Sequence, residues 1–396
     1  MRILIVHDVG AMIGGAEYSL LNLRNELVRR GHEVKVVTSD SPQPEPGFSD
    51  YTFQSRDSTR AGKFFHYLYN RSAKKTVRLA VGDFHPDLIH VCTVTKLSPA
   101  GVREMRSIPT VLDIRDYGLL YPVLHKAVPR SDFCGYGDEA CCPRHAGLFR
   151  YYFELLRVYL HRRNFPVFSA YITNSDYIKN IAERLDMRPA FNMNGPIEMS
   201  HCDEREKELL RNSIMYAGRL EPEKGVIELL ESFELVLEKV PDARLYFAGD
   251  GSLGAEISSL VRDRGLAGSV EMLGMIDIEK LTEWYCRIRI VAVPSLWPEP
   301  FGRVGPEAMA FGIPVVASGK GGITDWLDDG QNGLIADPLD RAAFADALIR
   351  LLEDETLYQA LSGNALKSSA QFHLEIYADK LEHLYSDVIA GEIQPQ

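Results

Sequence analysis

A chain of 396 residues is too long for one ordinary hydrophobic core, so two domains are expected, each large enough to fold alone. Its composition, 45% hydrophobic and 25% charged with no low-complexity tract, is that of a soluble globular protein. The net charge of −11 is unevenly divided: residues 1–200 carry 26 Lys+Arg against 21 Asp+Glu, and residues 201–396 carry 18 against 34. The split points to different partners for the two halves and excludes a nucleic-acid binder, because phosphate would repel the acidic half.

The first element, Arg2–Asp8, reads as a buried strand; its apolar run is too short for a signal peptide. Ala16–Arg30 reads as a helix stopped by Gly31, and Glu33–Ser39 as a second strand. Three prolines and a glycine make 41–47 a loop. Further strands are predicted at Asp87–Cys92, Pro109–Arg115, Tyr171–Thr173 and Ala190–Asn194, with helical patterns between them. The polar run His201–Asn212 breaks the series, placing the boundary near 195–212. A second series begins at Ser213, with strands Ile214–Gly218, Arg244–Ala248, Val270–Leu273, Ile290–Pro294 and Pro314–Ser318. The last helical stretch, His373–Ala390, follows a complete second set and could fold back onto the first domain.

Alternation of this kind implies α/β architecture, with two Rossmann-like, doubly wound parallel sheets facing across a cleft. Ligands of such sheets bind beyond the carboxyl ends of the strands, where the motifs of this chain fall. No stretch approaches the ~18 apolar residues of a membrane span, and six cysteines in this length do not make a disulfide scaffold. A cytoplasmic location is therefore expected.

Gly14-Gly15-Ala16-Glu17 opens the helix after strand one, where paired glycines and a helix N-terminus suit an anion; a tight strand-to-helix turn would read the same way. In Gly218-Arg219-Leu220-Glu221-Pro222-Glu223-Lys224-Gly225, Arg219 leaves a strand end and Lys224 is expected in the next helix's first turn. Both cations could converge on a diphosphate. A Lys there opposes the helix dipole, which suggests other work. Their loss should lower turnover with little change in stability. Glu299 and Glu307 lie eight positions apart around the Pro/Gly-rich run 294–310. Carboxylates there suit hydroxyl-rich ligands, and amides around Phe301, Gly302 and Arg303 would meet phosphate.

At these residues the sequence resembles the retaining glycosyltransferases of GT-B fold called family 4 or group 1. The resemblance covers nearly the whole chain and is most specific at 218–225, at Glu299-x7-Glu307 and at Gly312–Ser318 with the glycines after it. It implies an N-terminal, acceptor-side domain at 1–200, a C-terminal, nucleotide-sugar-binding domain at 201–372, and a tail at 373–396. It also implies roles. Arg219 and Lys224 would bind the donor diphosphate, Glu299 the donor sugar and Glu307 the ribose. Gly14 and Gly15 would meet the diphosphate from across the cleft, and Glu17 would lie towards the acceptor. Catalytic weight then falls on Arg219, Lys224 and Glu299, and retention follows from the resemblance alone.

Where many members carry His-Asp after the strand Pro109–Arg115, this chain has Arg115-Asp116. Arginine cannot shuttle protons at neutral pH, although it could bind a charged sugar or phosphate. No Asp-x-Asp triplet occurs in the chain, so side-chain cations and helix termini are expected to serve without a metal. The expected partners are a nucleoside-diphosphate sugar and a glycan or lipid-linked acceptor, with no other cofactor.

Weaker signals remain. Cys134, Cys141, Cys142 and His145 fall within twelve residues, but their spacing is not that of a usual zinc knuckle. The stretch 146–167 mixes six Phe or Tyr residues with Arg150, Arg157, Arg162 and Arg163, which suits an anionic membrane surface touched by the N-terminal domain, or ordinary packing. His7, His32 and His90 have no partner legible in sequence and read as core or surface residues. Two alternatives stand beside the transferase reading. A nicotinamide-dependent dehydrogenase would use Gly10, Gly14, Gly15 and Asp40, but the Gly-x-Gly-x-x-Gly fingerprint is read as absent, and Glu299 and Glu307 would have no task. A nucleotide-sugar-binding protein of the same fold without turnover is suggested by Arg115.

Overall fold

The computed structural model describes residues 1–11, 15–55, 67–94, 96–120, 148–197 and 209–393. Gly14 and the cluster Cys134, Cys141, Cys142 and His145 lie outside these residues. The described residues fall into two compact units: one holds those before Ile197 together with Leu374 onwards, and the other is Ile197–His373.

The first unit is built on a seven-stranded sheet, all parallel, in the order β3-β2-β1-β4-β5-β6-β7. Its strands are β1 (Arg2–Val6), β2 (Glu33–Ser39), β3 (Tyr51–Phe53), β4 (Leu88–Val91), β5 (Thr110–Ile114), β6 (Ala170–Thr173) and β7 (Ala190–Asn192). The central strand β1 is apolar from Ile3 to Val6 and wholly buried, as a parallel strand covered on both faces must be. Helix α1 (Gly15–Arg29) lays Leu20, Leu23 and Leu27 on the sheet at helical spacing. Helix α2 (Arg71–Phe84) is capped by the Asn70 side chain, which accepts the Ala73 amide at 2.9 Å. Three more helices follow: α3 (Ser98–Val102), α4 (Leu148–Arg162) and α5 (Asp176–Arg184).

The second unit carries a six-stranded parallel sheet in the order β10-β9-β8-β11-β12-β13. Its strands are β8 (Leu210–Ala217), β9 (Arg244–Ala248), β10 (Val270–Gly274), β11 (Ile288–Val293), β12 (Val315–Ala317) and β13 (Gly333–Ile335). The helices are α6 (Val226–Lys239), α7 (Gly254–Asp263), α8 (Ile278–Tyr285), α9 (Val304–Met309), α10 (Arg341–Glu353) and α11 (Glu355–Ser369). Separate apolar clusters cover the two sheet faces. The chain enters and leaves this unit side by side, with Ile197 bridging His373 and its amide bonding the Phe372 carbonyl at 2.9 Å. Helix α12 (Leu374–Ala390) then belongs to the first unit, where Tyr377, Leu381, Leu384, Tyr385 and Val388 join the core around Ile3 and Leu23.

Three details differ from the sequence reading. The strands β3 and β13 were not foreseen; at three residues each they are too short to show a period. The second series starts at Leu210, three residues before Ser213, because the exposed end of β8 tolerates Arg211. Lys224 does not lie in a helical first turn. It closes a 3₁₀ turn, Pro222–Lys224, and left-handed Gly225 (φ 67°) separates it from α6.

Candidate functional site

In each sheet the strand order reverses direction at one place, leaving a crevice at the carboxyl ends of two neighbouring strands. That place is β1/β4 in the first unit and β8/β11 in the second. The candidate residues gather there.

In the second unit, β8 runs into Gly218-Arg219-Leu220 and β11 into Pro294–Glu299. The two loops are locked together. The Leu296 amide bonds the Glu223 carbonyl at 2.9 Å, and a Cβ on Gly225 would stand 1.8 Å from the Pro294 carbonyl oxygen, so only glycine fits. The lock brings Lys224 to Glu299. Lys224 Nζ donates to Glu299 Oε1 at 2.7 Å and sits 5.0 Å above the Trp297 ring. Ser295 Oγ donates to the same carboxylate oxygen. Burial pushes the Glu299 pKa up, but Lys224 and the donors on Ser295 and Trp297 outweigh it and hold the carboxyl below its ordinary value. The glycine-rich turn after β12 seats the Glu299 backbone: the Glu299 amide bonds the Lys320 carbonyl, and its carbonyl accepts the Gly322 amide at 2.7 Å.

Arg219 is the more exposed cation, its side chain 51% accessible while Nη2 reaches buried Glu223 at 3.1 Å. Arg303 and Glu307 pair across one turn at 2.9 Å, at the start of α9. Phe301 turns its ring into the core, edge-on to Phe372, and its carbonyl accepts Trp326 Nε1 at 2.6 Å, so only its backbone can serve a ligand. The structure thus gathers Arg219, Lys224, Glu299, Phe301, Gly302, Arg303 and Glu307 in one unit, near the ends of β8 and β11.

The sequence reading took the Gly-x-Gly-x-x-Gly spacing as absent, but a third loop here carries it. Gly249-Asp250-Gly251-Ser252-Leu253-Gly254 joins β9 to α7 with a Gly-x-Gly-x-x-Gly spacing. A Cβ on Gly249 would stand 1.9 Å from the Gly218 carbonyl oxygen, and one on Gly251 about as close to the Leu220 backbone as 2.5 Å. The glycines let this turn pack directly on the Arg219 loop.

The first unit holds a cavity of about 350 Å³ lined by His7, Asp8, Val9, Glu17, Leu20, Tyr67, Cys92, Thr93, Lys96, Arg115 and Asp116. Glu17, Arg115 and Asp116, far apart in sequence, therefore share one pocket at the β1/β4 crevice. Gly15 heads α1 beside it. Arg115 is not a free cation. Its Nε donates to buried Asp113 at 2.7 Å and its Nη1 to Ser19 Oγ at 3.2 Å, while Nη2 is buried with no hydrogen-bond partner among the described residues. Burial works to raise the Asp113 pKa, yet Arg115 and His90 hold it below its ordinary value. Of the other histidines, His90 bonds Tyr385 in the core at 2.7 Å and His32 pairs with Glu382. His7, read from sequence as core or surface, instead lines the pocket, as do Cys92, Thr93 and Lys96. Their position just past β1 and β4 was the signal available for finding them.

Two parallel α/β units, each with polar loops at its switch point, define a Rossmann-like pair of the kind that handles nucleotide ligands. The family described as Glycosyltransferase Family 4 matches residues 13–190, and that described as Glycosyl transferases group 1 matches residues 203–368. The chain belongs to the GT-B glycosyltransferases of family 4. It is 37% identical over 179 residues to a D-inositol 3-phosphate glycosyltransferase of Corynebacterium diphtheriae, which spans 43% of this chain and 42% of that protein. Such alignments cover less than half the length of the first curated relatives. Among solved structures, a sucrose-phosphate synthase from Thermosynechococcus elongatus superposes with a TM-score of 0.74 at 21% identity, covering 99% of this chain and 100% of that one. Anabaena HepE in complex with UDP-glucose superposes with a TM-score of 0.70 at 19% identity, covering 98% and 100%.

Proposed function

We propose that the chain is a retaining glycosyltransferase that moves a sugar from a nucleoside-diphosphate donor to a hydroxyl acceptor without a metal ion. The observation that carries this reading is the Lys224–Glu299 pair at the β8/β11 crevice, with Arg219 exposed beside it. Lys224 and Arg219 neutralise the departing diphosphate as the bond from the sugar's anomeric carbon to phosphate oxygen breaks. The acceptor oxygen bonds the same carbon on the same face, and its proton leaves with the diphosphate. Glu299 accepts hydrogen bonds from sugar hydroxyls and Glu307 from the ribose, while amides at Phe301–Arg303 meet phosphate oxygens. Glu17, Arg115 and Asp116 line the acceptor pocket. Because Arg115 is neutralised by Asp113, it serves as a donor of directed hydrogen bonds more than as a reader of net charge.

The test is release of nucleoside diphosphate from UDP-, GDP- and ADP-sugars in EDTA. UDP-glucose comes first, because a neighbour of the same fold binds it. Release in EDTA that added magnesium does not raise is expected; activity that returns only with a divalent cation would overturn the metal-free account.

A lipid-linked acceptor is favoured by helix α4. Tyr152, Leu156 and Tyr159 are 63%, 45% and 57% exposed along one stripe that ends at exposed Arg163, while Arg157 and Phe165 turn inward. Tyrosines beside a cation suit the surface of an anionic membrane, where a basic residue contributes on the order of 1 kcal/mol. No helix among the described residues is long and apolar enough to cross a membrane. Co-sedimentation with phosphatidylglycerol vesicles at low salt, lost in Y152S/Y159S, is expected; no binding at low salt would end this part of the reading.

A further inference from the structure

Among the pocket residues without a role above is His7. His7 follows β1 with its ring almost fully buried. Its Nδ1 lies 3.2 Å from Thr93 Oγ1, and its Nε2 lies 3.5 Å from Glu17 Oε1 on α1. Thr93 Oγ1 also accepts the Asp8 amide at 2.8 Å, so the hydroxyl is fixed beside the ends of β1 and β4. If Thr93 donates to Nδ1, the neutral ring carries its hydrogen on Nε2. In the cation both nitrogens carry hydrogens and Nδ1 donates to Thr93. The remaining tautomer would set the Nε2 lone pair against a carboxylate. The Thr93 hydroxyl serves either ring state, and the Glu17 carboxylate selects those in which Nε2–H faces it.

The charged groups around the ring agree. Burial works to lower the His7 pKa, but Cys92 beyond β4, Glu17 on α1 and Asp8 next in chain outweigh it and raise it to about 9. Lys96, Arg115, Asp116 and Tyr67 line the same pocket. The other nearby carboxylates have different holders. Asp8 accepts the Lys96 and Leu97 amides, Asp113 is held by Arg115, and Asp116 accepts the Gly118 amide. Asp113 has His90 beside it as well as Arg115, whereas the titratable ring facing Glu17 is that of His7.

We infer that His7 is a positioning residue, whose Nε2–H keeps the Glu17 carboxylate ionised and aimed into the pocket to accept a hydrogen bond from the acceptor's hydroxyl, whose proton still leaves with the diphosphate. The inference rests on the reading of this pocket as the acceptor site. Its first consequence, coupling of Glu17 to His7, can be read without any substrate.

The experiment uses the full chain labelled with ¹³C at the glutamate δ-carbon, with Glu17 assigned by E17Q. In H7F the Glu17 titration is expected about one pH unit higher than in the wild type, and in H7Q, whose amide donates from near the Nε2 position, it stays close to wild type. UDP release from UDP-glucose, with water as acceptor, should fall about tenfold in H7F and recover to within about threefold of wild type in H7Q. Melting temperatures of both variants are measured alongside. An unmoved Glu17 titration in H7F overturns the inference, and so does equal loss of UDP release in H7F and H7Q. If wild type releases no UDP while Glu17 titrates as expected, the UDP-glucose donor reading fails and the His7–Glu17 coupling is upheld.

Discussion

Replacing Lys224 with Ala should act on stability and turnover together. Lys224 and Glu299 are 2.7 Å apart with side chains 18% and 6% exposed, so truncation strands a buried carboxylate without its counter-ion. Removing one partner of a fully buried pair costs about 3–5 kcal/mol. Here Ser295 still donates to the carboxylate and the lysine end is partly wet, so about 2–3 kcal/mol is expected. This differs from the sequence-based expectation of little change, because the buried Glu299 partner lies 75 positions along the chain. Transition-state stabilisation should also fall by about 2–4 kcal/mol, or roughly 30- to 1000-fold in turnover. Stability can be read by urea unfolding with tryptophan fluorescence, since all three tryptophans, Trp284, Trp297 and Trp326, lie in the second unit. Adding E299Q should restore stability, because a neutral amide needs no counter-ion, and should leave turnover low. Arg219→Ala should lose turnover with a smaller stability loss than Lys224→Ala, because the half-exposed arginine is screened by solvent although it pairs with buried Glu223. Wild-type unfolding of the Lys224→Ala variant would refute the buried-pair argument, and wild-type turnover would refute the assignment to the diphosphate.

Further outcomes follow from the same unit. Glu307→Ala should weaken binding of free UDP, measured by calorimetry, because the ribose is present there; Glu299→Ala should leave that affinity nearly intact and lower turnover. Equal effects on UDP affinity would contradict the two roles. Gly225→Ala should destabilise the second unit by at least about 2 kcal/mol in urea, since φ is 67° and the added methyl would overlap the Pro294 carbonyl; an unchanged midpoint would show that the loops can separate.

The order of elements was legible in the sequence because apolar runs such as Ile3–Val6 and Ile290–Val293 are buried on both faces and stand out against polar turns. Arg219, Lys224, Glu299 and Glu307 were legible too, since glycine, proline and charge at strand ends make an unusual local pattern. The strands Tyr51–Phe53 and Gly333–Ile335 were not, because no period develops over three residues set among polar and turn residues. Nor could the chain order say which strands lie side by side. Pairing of β1 with β4 and of β8 with β11 is decided by how helices cover the sheet, and it brings residues over seventy positions apart into contact. His7 meets Thr93 and Lys224 meets Glu299 only through that pairing. The sequence determined which groups are available at strand ends, while tertiary structure decided that Lys224 is a buried ion-pair partner, that Arg115 is neutralised by Asp113, and that His7 faces Glu17, because burial and counter-ions depend on neighbours far along the chain.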